Sequence, residues 1–150
     1  MDKLKTIKVT KVILDIMFYG GILVFITLPL TLKLAGKYYS PAIQEHFLMM
    51  LLVFGASGGF GIMIISQLRR MMKTVSQENC FVYDNVKSLS IMSALSLCIA
   101  VMFILKLFFL PTPATGVIIL VFFVAALFSE VLSHVFAEAV RYKEENDLTI

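Results

Sequence analysis

Three side chains near the C-terminal end hold the chain's most evident chemistry. Glu130, His134 and Glu138 recur at steps of four, which puts them on one face of a helix with a drift of about 40° per step. A histidine flanked by carboxylates gains proton affinity and can change charge near neutral pH, as a switch would. The same row can relay protons, as carboxylate–histidine chains do in pumps, or share a metal ion between Glu and His at i,i+4. The plainer reading is structural: polar groups that hydrogen-bond across a helix bundle or meet water at its edge. No metal and no cofactor is assigned to them. Asp15 is a further ionisable residue inside an apolar run, one turn past Lys11, and a Lys11–Asp15 pair at i,i+4 would soften its cost. Lys106 is expected to snorkel outward from the end of its own run. His46 reads as an ordinary surface residue.

No enzyme constellation accompanies these groups. The sequence has no GxSxG, no HExxH, no P-loop and no GxGxxG opening a βαβ unit, so an enzyme is not expected. Cys80 and Cys98 are far apart and no CxxC occurs, so neither a disulfide nor a redox motif is expected. Cys98 reads as a small packing residue within an apolar run, and Cys80 as a cysteine in a connection.

The elements that must carry these residues follow from composition. Of 150 residues, 59% are hydrophobic and 15% charged, where a soluble domain has about 25% charged. The mean hydropathy is +0.92. Such a chain is not disordered, not a disulfide scaffold and not a soluble cytosolic enzyme. A bilayer core takes roughly 20 apolar residues as a helix, and residues 13–34, 47–68, 88–110 and 115–138 each supply such a run. The runs are continuous rather than alternating, which selects helices over barrel strands. The expectation is all-α: a four-helix transmembrane bundle forming one membrane domain over residues 1–150. The first run is longer than a signal peptide's apolar region and is read as retained. Ten of the 13 Lys and Arg fall at the N-terminus, in the second connection and in the C-terminal tail. By the positive-inside rule both termini are expected in the cytoplasm, with the lipid bilayer of a cell membrane as the first partner. No basic cluster sits on a module that could reach a nucleic-acid groove, so direct nucleic-acid contact is not expected.

In lipid, helices associate through close packing and interhelical hydrogen bonds, which favours small residues four apart. The second run offers Gly55/Gly59 and Ser57/Gly61, the third Ser90, Ala94 and Cys98, and the fourth Ala125, Ser129, Ser133 and Ala137. Packing within one bundle is the first reading; homodimerisation through the glycine run 55–61 is the alternative. Pro29 removes a helix hydrogen bond from the first span, and Thr27 and Thr31 stand ready to satisfy freed carbonyls.

The second connection is expected to begin as a continuation of the second helix through Met71, Met72 and Val75, and to break at residues 76–79. Phe81 and Val82 would return to the interface, and Asp84 or Asn85 would cap the third helix. The polar C-terminal tail ends Asp147-Leu148-Thr149-Ile150, an alternating end that a partner can grasp as an added strand or by its terminus; the plainer reading is a tail packed against the bundle or frayed. The four runs, the connection carrying Phe81, Asn85 and Leu89, and this ending resemble a bacterial family of small integral membrane proteins, domain of unknown function 2975. The family's connection usually has proline where Cys80 stands here. The family has no established enzymatic activity, and its members are often encoded beside a small helix-turn-helix regulator. The resemblance therefore implies a membrane-bound regulatory partner of a DNA-binding protein. The dock expected for it is the connection around Phe81 and Asn85 with the tail Asp147, Leu148, Thr149 and Ile150. The alternatives are a small proton-coupled transporter using Asp15, Glu130 and His134, or an accessory subunit of a membrane complex.

Overall fold

The computed structural model describes residues 2–149. It contains α1 (Lys3–Tyr38), the short α2 (Pro41–Glu45), α3 (Phe47–Ser76), α4 (Tyr83–Phe109) and α5 (Pro113–Leu148). All but α2 are long and apolar enough to cross a membrane. Each covers one of the expected runs to within one residue, α4 stopping at Phe109 where its run was expected to reach 110, and each extends beyond its run at one end or both. The 36 residues of α1 and of α5 make rods of roughly 54 Å, well past a hydrocarbon core of about 30 Å. Large apolar side chains such as Ile16, Leu23, Ile26, Leu52, Phe108 and Phe128 stand exposed along the long helices. That much apolar surface suits lipid and would be untenable for a monomer in water.

The helices pack in a row, α1 on α3, α3 on α4 and α4 on α5, while α1 and α5 share no interface. Of the four, α4 is the most buried, with a stripe running Asn85, Ser88, Leu89, Met92, Leu95, Ser96, Ile99 and Phe103. The pair α4 and α5 share the largest interface. Ser129 and Ser133 of the small-residue ladder are buried there, and Ala125 and Ala137 are half-buried. The Ser133 hydroxyl donates to the Val86 carbonyl at 3.1 Å and the Ser93 hydroxyl to the Ala126 carbonyl at 2.8 Å, the type of interhelical bond that substitutes for a hydrophobic drive in lipid. The expected small-residue face of the third span is not used: Ser90, Ala94 and Cys98 all point outward.

The glycine run of α3 receives α1. A side chain added at Gly58 would stand 3.3 Å from the Phe25 ring, and ones at Gly55 and Gly59 would meet Leu28 and Phe25. These glycines thus serve packing within the chain, whereas Gly61 opens onto empty space. The α1 helix runs through Pro29 to Tyr38. Thr27 bonds the Leu23 and Val24 carbonyls and Thr31 the Leu28 carbonyl. None of these is the Phe25 carbonyl that Pro29 leaves without its i+4 donor.

The break after α3 falls where expected. Asn79 N–H reaches back to the Thr74 carbonyl and Glu78 N–H to the Val75 carbonyl, both at 3.1 Å. This is the Schellman arrangement, and its penultimate residue, Glu78, holds φ at +57°, the left-handed region that favours glycine. Glu78→Gly is expected to raise stability by roughly 0.5–1 kcal/mol, since glycine loses no Cβ contact there. The loss of the exposed Lys3–Glu78 pair offsets little of that. The midpoint of thermal unfolding in detergent reads it directly.

Candidate functional site

One end of the bundle collects the start of α1, the connection 77–82 and the end of α5. Lys3 lies 3.8 Å from Glu78, and Lys143 Nζ donates to Asn79 Oδ1 at 2.7 Å. This end also holds most of the cationic residues, and three sites are built on it.

The first ties α1 to α3. Arg69 Nε donates to Asp15 Oδ1 at 2.7 Å, and its guanidinium stacks 4.4 Å above the Phe18 ring and 5.6 Å from the Tyr19 ring. The expected Lys11–Asp15 pair is therefore replaced by a pair across helices. A guanidinium prefers such a site, because its planar fork meets a carboxylate and an aromatic face together. Beside it lies a cleft of about 330 Å³ lined by Lys11, Asp15, Arg69, Arg70 and Lys73.

The second site is the connection itself. Asn85 is 1% exposed. Its amide donates to Thr74 Oγ1 and to the Cys80 carbonyl, each at 2.7 Å. Thr74 Oγ1 in turn donates to the Met71 carbonyl at 2.7 Å. Asn85 therefore neither caps α4 nor faces a partner. The helix already begins at Tyr83 with Val82 extended before it and no side-chain cap, and Asn85 pins the connection to the end of α3. Phe81 is exposed on one side and packs on Phe136 of α5, ring centres 5.5 Å apart. Phe81, Val82 and Tyr83 form one wall of a cleft of about 310 Å³; Val140, Lys143, Glu144 and Asp147 form the other. The structure thus brings together Phe81 and Asp147, which sequence reasoning placed in one dock.

The tail differs from expectation. Residues 139–148 are not extended but continue α5, with Thr149 following the helix and bonding back to the Asn146 carbonyl. Arg141 supports this stretch by pairing with Glu138 at 3.6 Å and Glu145 at 3.8 Å, one turn away on either side. Strand addition at Leu148 would require unwinding this end. Leu148 is 86% exposed, and Ile150 lies outside the described residues.

The third site is the polar face of α5. His134 Nε2 lies 3.4 Å from Glu130 Oε1, as the spacing implied, with the histidine side chain 79% exposed. Glu138 turns instead to Arg141, so the three residues do not form a continuous chain. His134, Glu138 and Arg141 line a broad cleft of about 640 Å³ together with Tyr83, which also lines the Phe81–Asp147 cleft. Tyr83 thus joins the two clefts, a placement that no spacing in the sequence signals. Asp15 is not brought to this face: it belongs to α1, and α1 and α5 do not touch. Among the described residues, no group of three or more His, Cys, Asp or Glu side chains is placed to hold a metal ion.

Lys106 sits toward the opposite end and does not snorkel. It is 6% exposed, its Nζ donating to Thr115 Oγ1 at 2.7 Å and approaching the Thr112 hydroxyl and Leu110 carbonyl at 3.5 Å. The turn between α4 and α5 folds these oxygens over the ammonium. In the middle of the bundle, Gly21, Phe25, Ser57, Gly61, Ile99 and Phe122 help line an apolar cavity of about 380 Å³ that reaches all four long helices. Among the described residues, the buried Ser57 hydroxyl has no hydrogen-bond partner.

Fold and surface define an all-α protein of the membrane type, with four helices long and apolar enough to span a bilayer. The chain belongs to the DUF2975 family: the family model described as protein of unknown function (DUF2975) matches residues 12–150, nearly the whole chain. No curated protein and no solved structure matches it.

Proposed function

We propose that this protein is an integral membrane regulatory partner that docks a small helix-turn-helix transcription regulator at its basic end, which faces the cytoplasm. The observation that supports this reading is the cleft between Phe81–Tyr83 and the last turns of α5, where two segments far apart in sequence meet. Exposed Phe81, Tyr83 and Tyr142 offer the aromatic anchors that interfaces concentrate. Glu144, Glu145 and Asp147 add carboxylates suited to a basic DNA-binding domain. A regulator held there is withdrawn from DNA. A change in charge at His134, across Tyr83 from the cleft, would shift the bound fraction, provided the two states of the face bind it differently.

The test titrates the full chain in lipid nanodiscs with a small helix-turn-helix protein, taken from the neighbouring reading frame where that frame encodes one. Binding that weakens with salt is expected. Tyr83→Ala and removal of residues 147–150 are each expected to weaken it about tenfold or more, as for anchor residues of an interface. Equal binding by the intact and shortened chains would remove the tail from the dock, and no binding by the intact chain would remove the regulator.

A further inference from the structure

The cleft between α1 and α3 at the basic end has no role in the docking reading, yet its charge is lopsided. Lys11, Arg69, Arg70 and Lys73 line it against the single carboxylate of Asp15. Asp15 engages one N–H of Arg69, and a guanidinium has five. Among the described residues, Lys11, Arg70 and Lys73 make no ion pair. At about 330 Å³ the cleft has room for a phosphate group. Its remaining lining, Leu14 and Met72, is apolar. A free anion would gain nothing from those two side chains; a lipid would.

The surroundings favour a lipid as well. Leu14 and Gly21 are seven residues apart on α1, as are Met72 and Ile65 on α3, so on each helix the two lie on one face about 10.5 Å apart. Gly21 and Ile65 line the central apolar cavity, whose volume is about 380 Å³. Gly61 leaves open space on that lining. A cationic cleft thus sits one heptad from an apolar void, along the same α1–α3 seam.

We propose that this seam binds one anionic phospholipid, with its phosphate in the cleft of Lys11, Arg69, Arg70 and Lys73 and an acyl chain entering the apolar cavity. Basic pockets between membrane helices recognise anionic headgroups by this chemistry. The lipid would fill the space beside α1, the helix with the least packing of its own.

The experiment uses the full chain in a neutral detergent. Thermal unfolding and native mass spectrometry are recorded with added phosphatidylglycerol, phosphatidylcholine or inorganic phosphate. Phosphatidylglycerol is expected to remain bound and to raise the unfolding midpoint, and the other two to do neither. The double variant Arg70→Gln/Lys73→Gln alters exposed side chains and leaves the Arg69–Asp15 pair intact. It is expected to weaken phosphatidylglycerol roughly thirtyfold, while Lys33→Gln/Lys37→Gln at the other end leaves it unchanged. Equal binding of phosphatidylcholine, an equal effect of inorganic phosphate, or undiminished binding by the Arg70/Lys73 variant would each overturn the proposal. None of these outcomes bears on regulator docking, which is read with a different ligand.

Discussion

Asn85→Ala is expected to lower stability by about 2–4 kcal/mol and to release the connection 77–82. Two effects add. The substitution strands the Cys80 carbonyl and removes a donor from Thr74 Oγ1, and an orphaned buried polar group costs about 1–3 kcal/mol. It also leaves a void at a fully enclosed position, which adds a cavity cost. Asn85→Asp keeps the shape and separates the two effects. An ionised carboxylate has no N–H to donate and would face the Cys80 carbonyl with like polarity. Its damage is therefore expected to match or exceed that of alanine even though no cavity forms. Gln77→Ala, at an exposed neighbouring position, should change stability by less than about 0.5 kcal/mol. Unfolding in detergent and the rate of proteolysis within residues 77–82 read both quantities. If Asn85→Ala cleaved no faster than wild type, the amide would not be what holds the connection. The same variant also bears on docking: a cleft wall built from Phe81 and Val82 cannot stay in place once its anchor is gone.

That anchor shows where the sequence could and could not be read. Continuous apolar runs announce four spans because lipid selects composition along the whole helix. They do not announce helix ends. Hydropathy reports the solvent around a segment, whereas residues 83–87 and 139–148 are polar and still helical. Their cues are local: an extended Val82 ahead of α4, and Arg141 between Glu138 and Glu145 on α5. Small-residue spacing found the packed face of α5 at Ser129 and Ser133 but misplaced that of α4. There Ser88, Ser96 and Ala100 turn inward among larger residues while Ser90, Ala94 and Cys98 face out. Leucine is as comfortable in lipid as in the bundle, so apolarity does not mark the inner side. Polar partners were the least legible. Snorkelling considers only depth, and nothing in depth says that the α4–α5 turn brings Thr112 and Thr115 to Lys106. Asp15 has a lysine one turn away in sequence, but the antiparallel register that sets Phe25 on Gly58 and Leu28 by Gly55 puts Arg69 across from it.

Because α1 joins the bundle only through α3 and the short α2, Arg69→Ala is expected to be the substitution that most loosens this helix. It leaves Asp15 without its partner, at a depth where a lone charge costs about 2.5–3.5 kcal/mol at the bilayer centre and less toward the edge. It also removes the cation from the Phe18 and Tyr19 rings, worth about 0.5–2 kcal/mol. A net loss of about 2–3 kcal/mol follows, discounted because both side chains are about a third exposed. Pairing makes the sign of a second change unusual. Asp15→Ala added to Arg69→Ala should recover part of the loss, since it deletes the orphaned carboxylate. Arg69→Lys should recover little, because an ammonium cannot donate to Asp15 and lie flat on Phe18 at once. The readouts are unfolding in bicelles and cross-linking between cysteines placed at Leu28 and Gly55, two positions in contact across the seam. A double variant no better than Arg69→Ala would mean that Asp15 finds water or lipid headgroups on its own. The tie between α1 and α3 would then rest on the aromatic stack and on packing such as Phe25 on Gly58 and Leu28 by Gly55.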